Sequence, residues 1–210
     1  MIDASKLGLF LTAAFLLAIA PGPGMLYVLA RSLAGGRREG VLSSLGTFAG
    51  GMVHVLAAAA GVSVILAKSA IAFATVKYVG AGYLCFLGIR MILDAQRDSQ
   101  SRPADPFVPV RNPFYQGIAT EVLNPKTALF FLSFIPQFVN REAGHVFWQF
   151  LMLGTVSVVL NTSADLVVTL FAGPLGSRIR SSAEFRRTQR TATGAIIIGL
   201  GTYLATSRAD

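Results

Sequence analysis

The sequence contains few charged residues and few of the side chains that usually carry enzyme or metal chemistry. Only 13% of its 210 residues are charged, about half the fraction usual in soluble domains, while 53% are hydrophobic. The single cysteine, Cys85, excludes an intrachain disulfide, and two histidines without a cysteine cluster argue against a metal site. A G-K-[ST] phosphate-binding motif is also missing, so we expect no nucleotide and no other cofactor.

Apolar residues are concentrated in long blocks, which predicts an integral membrane protein. Six segments meet or approach the roughly 20 apolar residues that a helix needs to cross a bilayer: 7–31, 40–67, 70–93, 114–138, 145–172 and 191–207. The last is the shortest, so a five-span chain is the alternative. We expect the first segment to be retained as a span and not cleaved as a signal peptide.

The distribution of lysine and arginine predicts the orientation. These residues are more numerous in the connections after the first, third and fifth segments than in the other connections, and the basic side of a membrane protein faces the cytoplasm. Both termini would then lie on the periplasmic side of a bacterial inner membrane. The net charge of +8 indicates topology and contact with anionic lipid, and does not call for a nucleic-acid partner.

A polar, proline-containing linker divides the chain into two halves of three spans each. The halves are 1–94 and 113–210, joined by a cytoplasmic linker over 95–112. A repeat with an odd number of spans must return with the opposite orientation. The sequence therefore predicts an all-α protein with one transmembrane domain, whose six helices form a 3+3 inverted repeat.

Helix-breaking residues interrupt the first and fourth segments at corresponding depths. The first break contains Pro21, Gly22, Pro23 and Gly24, and the second contains Asn124, Pro125 and Lys126. Broken backbone survives at membrane depth only where protein or a water-filled cavity covers it, so paired breaks point to a substrate site near the midplane. Backbone N–H groups at the first break would attract a substrate carboxylate, and Asn124 and Lys126 would orient or gate it. A simple packing kink is the alternative for the first break.

Four ionisable residues within the predicted spans are the remaining candidates for transport chemistry. Lys126 must meet a carboxylate, a cavity or a substrate, or else extend towards an interface. Asp165 is its natural partner or a proton carrier, with a structural ion pair as the alternative. Glu121 and His54 could also couple protons, although a lone histidine in an apolar span more often serves packing.

These segments resemble the LysE/RhtB family of amino-acid exporters. Ala20-Pro21-Gly22-Pro23 and the basic stretch 35–40 look like its first motif, and the run from Asn124 to Phe131, continuing to Phe138, looks like its second. The resemblance implies a small inner-membrane exporter of amino acids or their derivatives, driven by the proton motive force, and not an enzyme. It does not select among lysine, arginine, homoserine, threonine and branched-chain amino acids.

Three other functions stay open at this point. The cargo could be a metal cation or another metabolite, although sparse carboxylates argue against a metal. A lipid-modifying membrane enzyme would need a convergent acid–base set that the sequence does not offer. A purely structural subunit would leave the mid-span charges unexplained. Glycine-rich helix faces could serve within one chain or between chains, so a homo-oligomer is also open.

Overall fold

The computed structural model describes residues 4–68, 70–97, 112–140, 142–181 and 183–206, and no strand occurs within these ranges. The helices are α1 (Ala4–Ile19), α2 (Pro23–Lys68), α3 (Ala70–Arg97), α4 (Pro113–Val122), α5 (Pro125–Leu129), α6 (Val146–Ser181) and α7 (Ala183–Thr206). A π-helical turn, Phe130–Phe134, and a 3-10 turn, Ile135–Phe138, continue α5. Most of the predicted linker and both chain ends lie outside the described residues, so the predicted orientation of the termini is not addressed by these helices.

Both helix breaks predicted from the sequence are present. The first separates α1, which ends at Ile19, from α2, which begins at Pro23. The second separates α4 from α5 and its continuation, which are bent by 47° relative to each other. Asn124 caps α5 by accepting the Lys126 backbone N–H at 3.1 Å, and Pro125 occupies the first turn, where a missing N–H costs no helical hydrogen bond.

Helix α2 folds back on itself at Gly36, which has φ 74° and ψ −169°. A Cβ on Gly24 would lie 3.7 Å from Thr47 Cγ2, whereas these residues would be about 34 Å apart in a straight helix. An ion pair between Arg31 and Glu39 spans the fold. The predicted loop between the first two segments is therefore reduced to one residue, joining a near arm (23–35) to a far arm (37–68).

The far arm of α2 packs closely against α4 and α6 through glycines. A Cβ on Gly46 would clash with the Phe114 carbonyl oxygen, and one on Gly50 would come within 2.8 Å of the Ile118 carbonyl oxygen. On the α6 side, a Cβ on Gly51 would lie 3.0 Å from Val158. Small residues allow this close approach of backbones, as is typical of helices packed in membranes.

Helices α3 and α7 form a second, antiparallel pair. A Cβ on Gly88 would lie 2.6 Å from the Gly194 carbonyl oxygen, and one on Gly194 would lie 2.6 Å from the Gly88 carbonyl oxygen. A Cβ on Gly201 would lie 2.9 Å from the Ala81 carbonyl oxygen. Ala81 packs with Leu84, Ile197 and Leu204 in an apolar cluster separate from the main core.

The main core is rich in phenylalanine and lies beside the second break. Its buried aromatic residues come from α1, the π-helical and 3-10 turns, and α6: Phe10, Phe130, Phe131, Phe134, Phe138 and Phe150. Phe130 and Phe134 stack with ring centroids 5.1 Å apart. The π-helical turn thus places several aromatic rings immediately after the charged break.

By length and hydropathy alone, two described helical stretches could cross a membrane, Pro23–Gly61 and Val146–Ala172. The bent pair Pro113–Val122 with Pro125–Phe138 would make a third, and Lys6–Ile19 and Thr191–Thr206 are shorter apolar helices. The described residues therefore form a helical fold with two or three stretches long and apolar enough to cross a membrane, and the number and direction of the crossings belong to the proposal below.

Candidate functional site

The end of α1 is capped by the side chain of Lys126. Its Nζ donates hydrogen bonds to the carbonyl oxygens of Leu17, at 3.2 Å, and Ala20, at 2.9 Å. The last carbonyls of a helix lack intrahelical partners and carry partial negative charge, which an ammonium group neutralises. Lys126 is only 5% exposed and packs beside Gly22, where a Cβ would lie 3.0 Å from Nζ. The ammonium group is therefore held inside the protein and does not extend to an interface.

The carboxylate of Glu121 lies at the beginning of α2. A Cβ on Gly24 would clash with Glu121 Oε2, so the carboxylate lies against the first turn of α2, where the partial charge is positive. Glu121 is 3% exposed. Its Oε1 accepts from Thr127 Oγ1 at 2.6 Å, and its Oε2 accepts from Asn124 Nδ2 at 3.1 Å.

The two broken helices thus stabilise each other's exposed ends with opposite charges. Residues flanking the second break supply a cation, Lys126, to the end of α1 and an anion, Glu121, to the start of α2. The residues of the first break predict a substrate carboxylate at the start of α2. In the structure the protein's own Glu121 carboxylate lies there, which leaves Lys126 as the cationic group that a substrate carboxylate would meet.

A cavity opens beside these charges, with about 390 Å³ of empty space including its mouth. Lys126 and Glu121 both line it. Uncharged polar groups and apolar side chains complete the wall: Thr47, Thr127, Ser157 and Asn161, with Ala14, Leu17, Ala18, Gly51, Phe130, Phe131 and Val158. Its few polar groups converge on a largely apolar surface, as is typical of sites that bind small molecules.

Asp165 lies behind the cavity wall and does not pair with Lys126. Its side chain is fully buried, and Oδ2 accepts a hydrogen bond from Thr47 Oγ1 at 2.9 Å. Its Oδ1 has no hydrogen-bond partner. Among the described residues the ion pair within 4 Å is Arg31–Glu39, so the pairing of Asp165 with Lys126 expected from the sequence is not formed.

His54 supports the second break from outside the cavity. Its Nε2 lies 2.9 Å from the backbone carbonyl oxygen of Glu121, to which a protonated ring nitrogen donates. The ring stacks on Phe131 with centroids 6.2 Å apart. This position fits the packing alternative for His54, because its hydrogen bond is to a backbone carbonyl at the end of α4, which also accepts from the Asn124 N–H at 3.0 Å.

Several wall residues were not identified from the sequence. Thr47, Ser157 and Asn161 carry common polar side chains on long apolar helices, where only their facing partners distinguish them from helix-packing residues. Thr127 lies within the second motif, but the sequence does not indicate that its hydroxyl donates a hydrogen bond to Glu121. Within the described ranges, no group of three or more histidine, cysteine or acidic side chains could hold a metal ion.

Comparison with known proteins agrees with a membrane transporter. The profile of the LysE type translocators matches residues 15–208. An uncharacterised membrane protein of Pseudomonas aeruginosa is 35% identical over 199 residues, covering 90% of this chain and 89% of its own. The leucine efflux protein of Salmonella typhimurium is 29% identical over 198 residues, covering 94% and 93%.

A further relative is an uncharacterised membrane protein of Bacillus subtilis, 28% identical over 200 residues and covering 91% of this chain and 94% of its own. No solved structure matches the chain significantly. The profile match over nearly the whole length establishes that this chain belongs to the LysE type translocator family.

Proposed function

We propose that this protein exports neutral amino acids or their derivatives from the cytoplasm. The observation that carries the proposal is the cavity wall, which presents an ammonium group, a carboxylate and two aromatic rings together. A zwitterionic amino acid carries the complementary pair of charges and a side chain. Family membership supports a translocator, and one relative is named a leucine efflux protein.

The carboxylate of the substrate would bind Lys126. An ammonium group has three donor hydrogens, and Lys126 Nζ uses two of them on Leu17 and Ala20. The third can reach a ligand in the cavity that Lys126 lines. Because the carbonyls hold Nζ in place without neutralising its full charge, the ammonium stays positioned for an anion.

The amino group of the substrate would bind Glu121. Each carboxylate oxygen can accept about two hydrogen bonds, and Oε1 and Oε2 each accept one from the protein. Asn124 and Thr127 therefore orient the carboxylate and still leave acceptor capacity. Phe130, Phe131 and Val158 offer an apolar surface to the side chain, which favours a substrate such as leucine over a second charged group.

The six-span inverted repeat is the arrangement we propose for the whole chain. Three close contacts support it, each joining a residue of the first half to one of the second half: Gly22 with Lys126, Gly51 with Val158, and Gly88 with Gly194. These partners are 104, 107 and 106 positions apart in sequence. Residues that touch their own counterparts at a near-constant offset lie close to a two-fold axis relating the halves.

In this arrangement the first span comprises α1 and the near arm of α2, and the second is the far arm. The protein would lie in the bacterial inner membrane with the Gly36 fold, flanked by Arg37 and Arg38, on the cytoplasmic side and both termini outside. Without a nucleotide-binding motif, the energy source we propose is the proton motive force. Lipid surrounds the apolar exterior, and we propose no further partner.

The test is efflux from cells preloaded with leucine, lysine or glutamate. The wild type should release leucine faster than cells without it, and a protonophore should abolish the difference. Lys126→Met, which keeps the length of the side chain but removes its charge, should export leucine at least about tenfold more slowly, the effect of about 1.4 kcal/mol. Lys6→Met is the matched control, since Lys6 is exposed on α1.

Membrane abundance of the variants is measured by immunoblot so that export is compared per molecule. Leucine export by Lys126→Met at the wild-type rate would refute the binding role of Lys126. Faster release of lysine or glutamate but not of leucine would refute the neutral, zwitterionic substrate class.

A further inference from the structure

Asp165 differs from Glu121 and Lys126, the ionisable groups of the cavity wall, in how its polar atoms are satisfied. Glu121 has a donor on each carboxylate oxygen, and Lys126 has two carbonyl acceptors. The donor to Asp165 Oδ2 is the Thr47 hydroxyl at 2.9 Å, whose single hydrogen is shared with the Ser44 carbonyl oxygen at 3.0 Å. Asp165 Oδ1 is buried without a partner.

An ionised Asp165 would be poorly stabilised in this setting. A buried charge without a partner is strongly destabilising, and Asp165 has no cationic side chain within 4 Å among the described residues. A proton on Oδ1 would remove the charge that this setting leaves uncompensated.

The charged groups around Asp165 form balanced pairs, which favours the binding of one proton by Asp165. Glu121 and Lys126 border the cavity on the other side of Thr47, and they balance each other. Arg31 and Glu39, on the two arms of α2, also balance each other. Elsewhere on α2, Tyr27 and His54 make hydrogen bonds with the backbone carbonyls of Pro113 and Glu121, and Arg37 and Arg38 are exposed. Asp165 is therefore the unbalanced charge of this group.

We propose that Asp165 is the coupling site of the transporter and carries one proton per cycle on Oδ1. This assignment rests on the proposed export function and selects Asp165 over Glu121 and His54. The proton enters from the periplasmic side and forms the Oδ1–H bond. It leaves to the cytoplasm, so that the carboxylate is regenerated and no other reactant is consumed. Thr47, which both lines the cavity and donates to Asp165, links proton binding to the substrate site.

The test uses purified full-length protein in liposomes, with labelled leucine as the probe. With the membrane potential clamped and the lumen one pH unit more acidic than the medium, one-to-one exchange sustains about tenfold accumulation of leucine. Asp165→Asn should exchange labelled for unlabelled leucine but accumulate none. The matched control Glu121→Gln removes a carboxylate that binds substrate, so it should lose exchange and accumulation together.

The possible outcomes separate the coupling site from the export function. Wild-type protein that fails even to exchange leucine refutes leucine as the substrate. Wild type that exchanges leucine while Asp165→Asn still accumulates it tenfold refutes the coupling role. Accumulation driven by a sodium gradient in place of the pH gradient refutes the proton as the coupling cation.

Infrared spectroscopy without substrate tests the role of Asp165 even if Asp165→Asn also loses exchange. Infrared difference spectra between acidic and alkaline buffer should contain a protonated-carboxyl band in wild type and in Glu121→Gln. The band should be missing in Asp165→Asn. Thr47→Val removes the one donor to the ionised form, so it should move the midpoint of that band to higher pH. A band that persists in Asp165→Asn, or an unchanged midpoint in Thr47→Val, would overturn the assignment.

Discussion

Replacement of Gly46 by alanine tests the close packing that places Glu121 in the cavity. Its Cβ would clash with the Phe114 carbonyl oxygen and lie 2.9 Å from Gly117 Cα, whereas carbon atoms in favourable contact are about 3.5–4.0 Å apart. These obstacles are backbone atoms of α4, which no side-chain rotation can remove. The two helices must therefore separate, and Glu121, which lies one turn beyond Gly117, would move with α4.

The loss of stability expected for Gly46→Ala is estimated by comparison with Gly82→Ala. A Cβ on Gly82 meets nothing within 4 Å, and both glycines lie inside helices. Each substitution gains about 0.8–1.0 kcal/mol of helix propensity, so this term cancels between the variants. What remains is the cost of overpacking at Gly46, about 1–3 kcal/mol.

The assay is thermal unfolding of both variants in the same detergent at one heating rate. A protein of this size changes its unfolding midpoint by about 2–4 °C per kcal/mol, so Gly46→Ala should unfold about 2–12 °C below Gly82→Ala. Leucine export should fall for Gly46→Ala at matched abundance. Equal midpoints for the two variants would refute the close approach of α2 and α4 at Gly46.

Two further predictions concern stability at the fold of α2 and at the second break. Gly36→Ala and Gly36→Asn should each destabilise the protein by about 1–3 kcal/mol, because φ 74° with ψ −169° lies in a region that essentially only glycine adopts; an unchanged midpoint of thermal unfolding in either variant would contradict this. Thr127→Val removes a 2.6 Å donor from Glu121 and should cost about 1–3 kcal/mol, measured in the same way. Thr202→Val is its control, since that exposed hydroxyl bonds only to its own helix and should change stability by less than about 0.5 kcal/mol.

The positions of both helix breaks could be predicted from the sequence because proline and glycine act locally. Pro21, Pro23 and Pro125 remove backbone donors wherever they occur, so the interruptions follow from residue type alone. Lys126 and Asp165 could also be singled out as candidates, since a charge within an apolar span requires an explanation. The partners of these charges depend on contacts between distant segments and could not be predicted.

The prediction that Asp165 pairs with Lys126 illustrates this limit. Opposite charges in neighbouring spans are reasonable partners on electrostatic grounds. In the structure Lys126 instead donates hydrogen bonds to the carbonyls of Leu17 and Ala20, more than a hundred positions away. Asp165 is hydrogen-bonded to Thr47. Backbone carbonyls at a helix end have no signature in the side-chain sequence, so these acceptors become visible only when the end of α1 is located in space.

The sequence by itself determined the all-helical membrane character, the two breaks, the ionisable candidates and the family, because these depend on composition, local backbone chemistry and short motifs. Only the tertiary structure decided that Glu121 occupies the start of α2, that Lys126 closes the end of α1, and that Asp165 keeps one oxygen unsatisfied. Each of these facts arises where separate helices cross. Their relative depth and rotation are determined by the packing of glycines such as Gly46 and Gly50 against α4, which no single segment encodes.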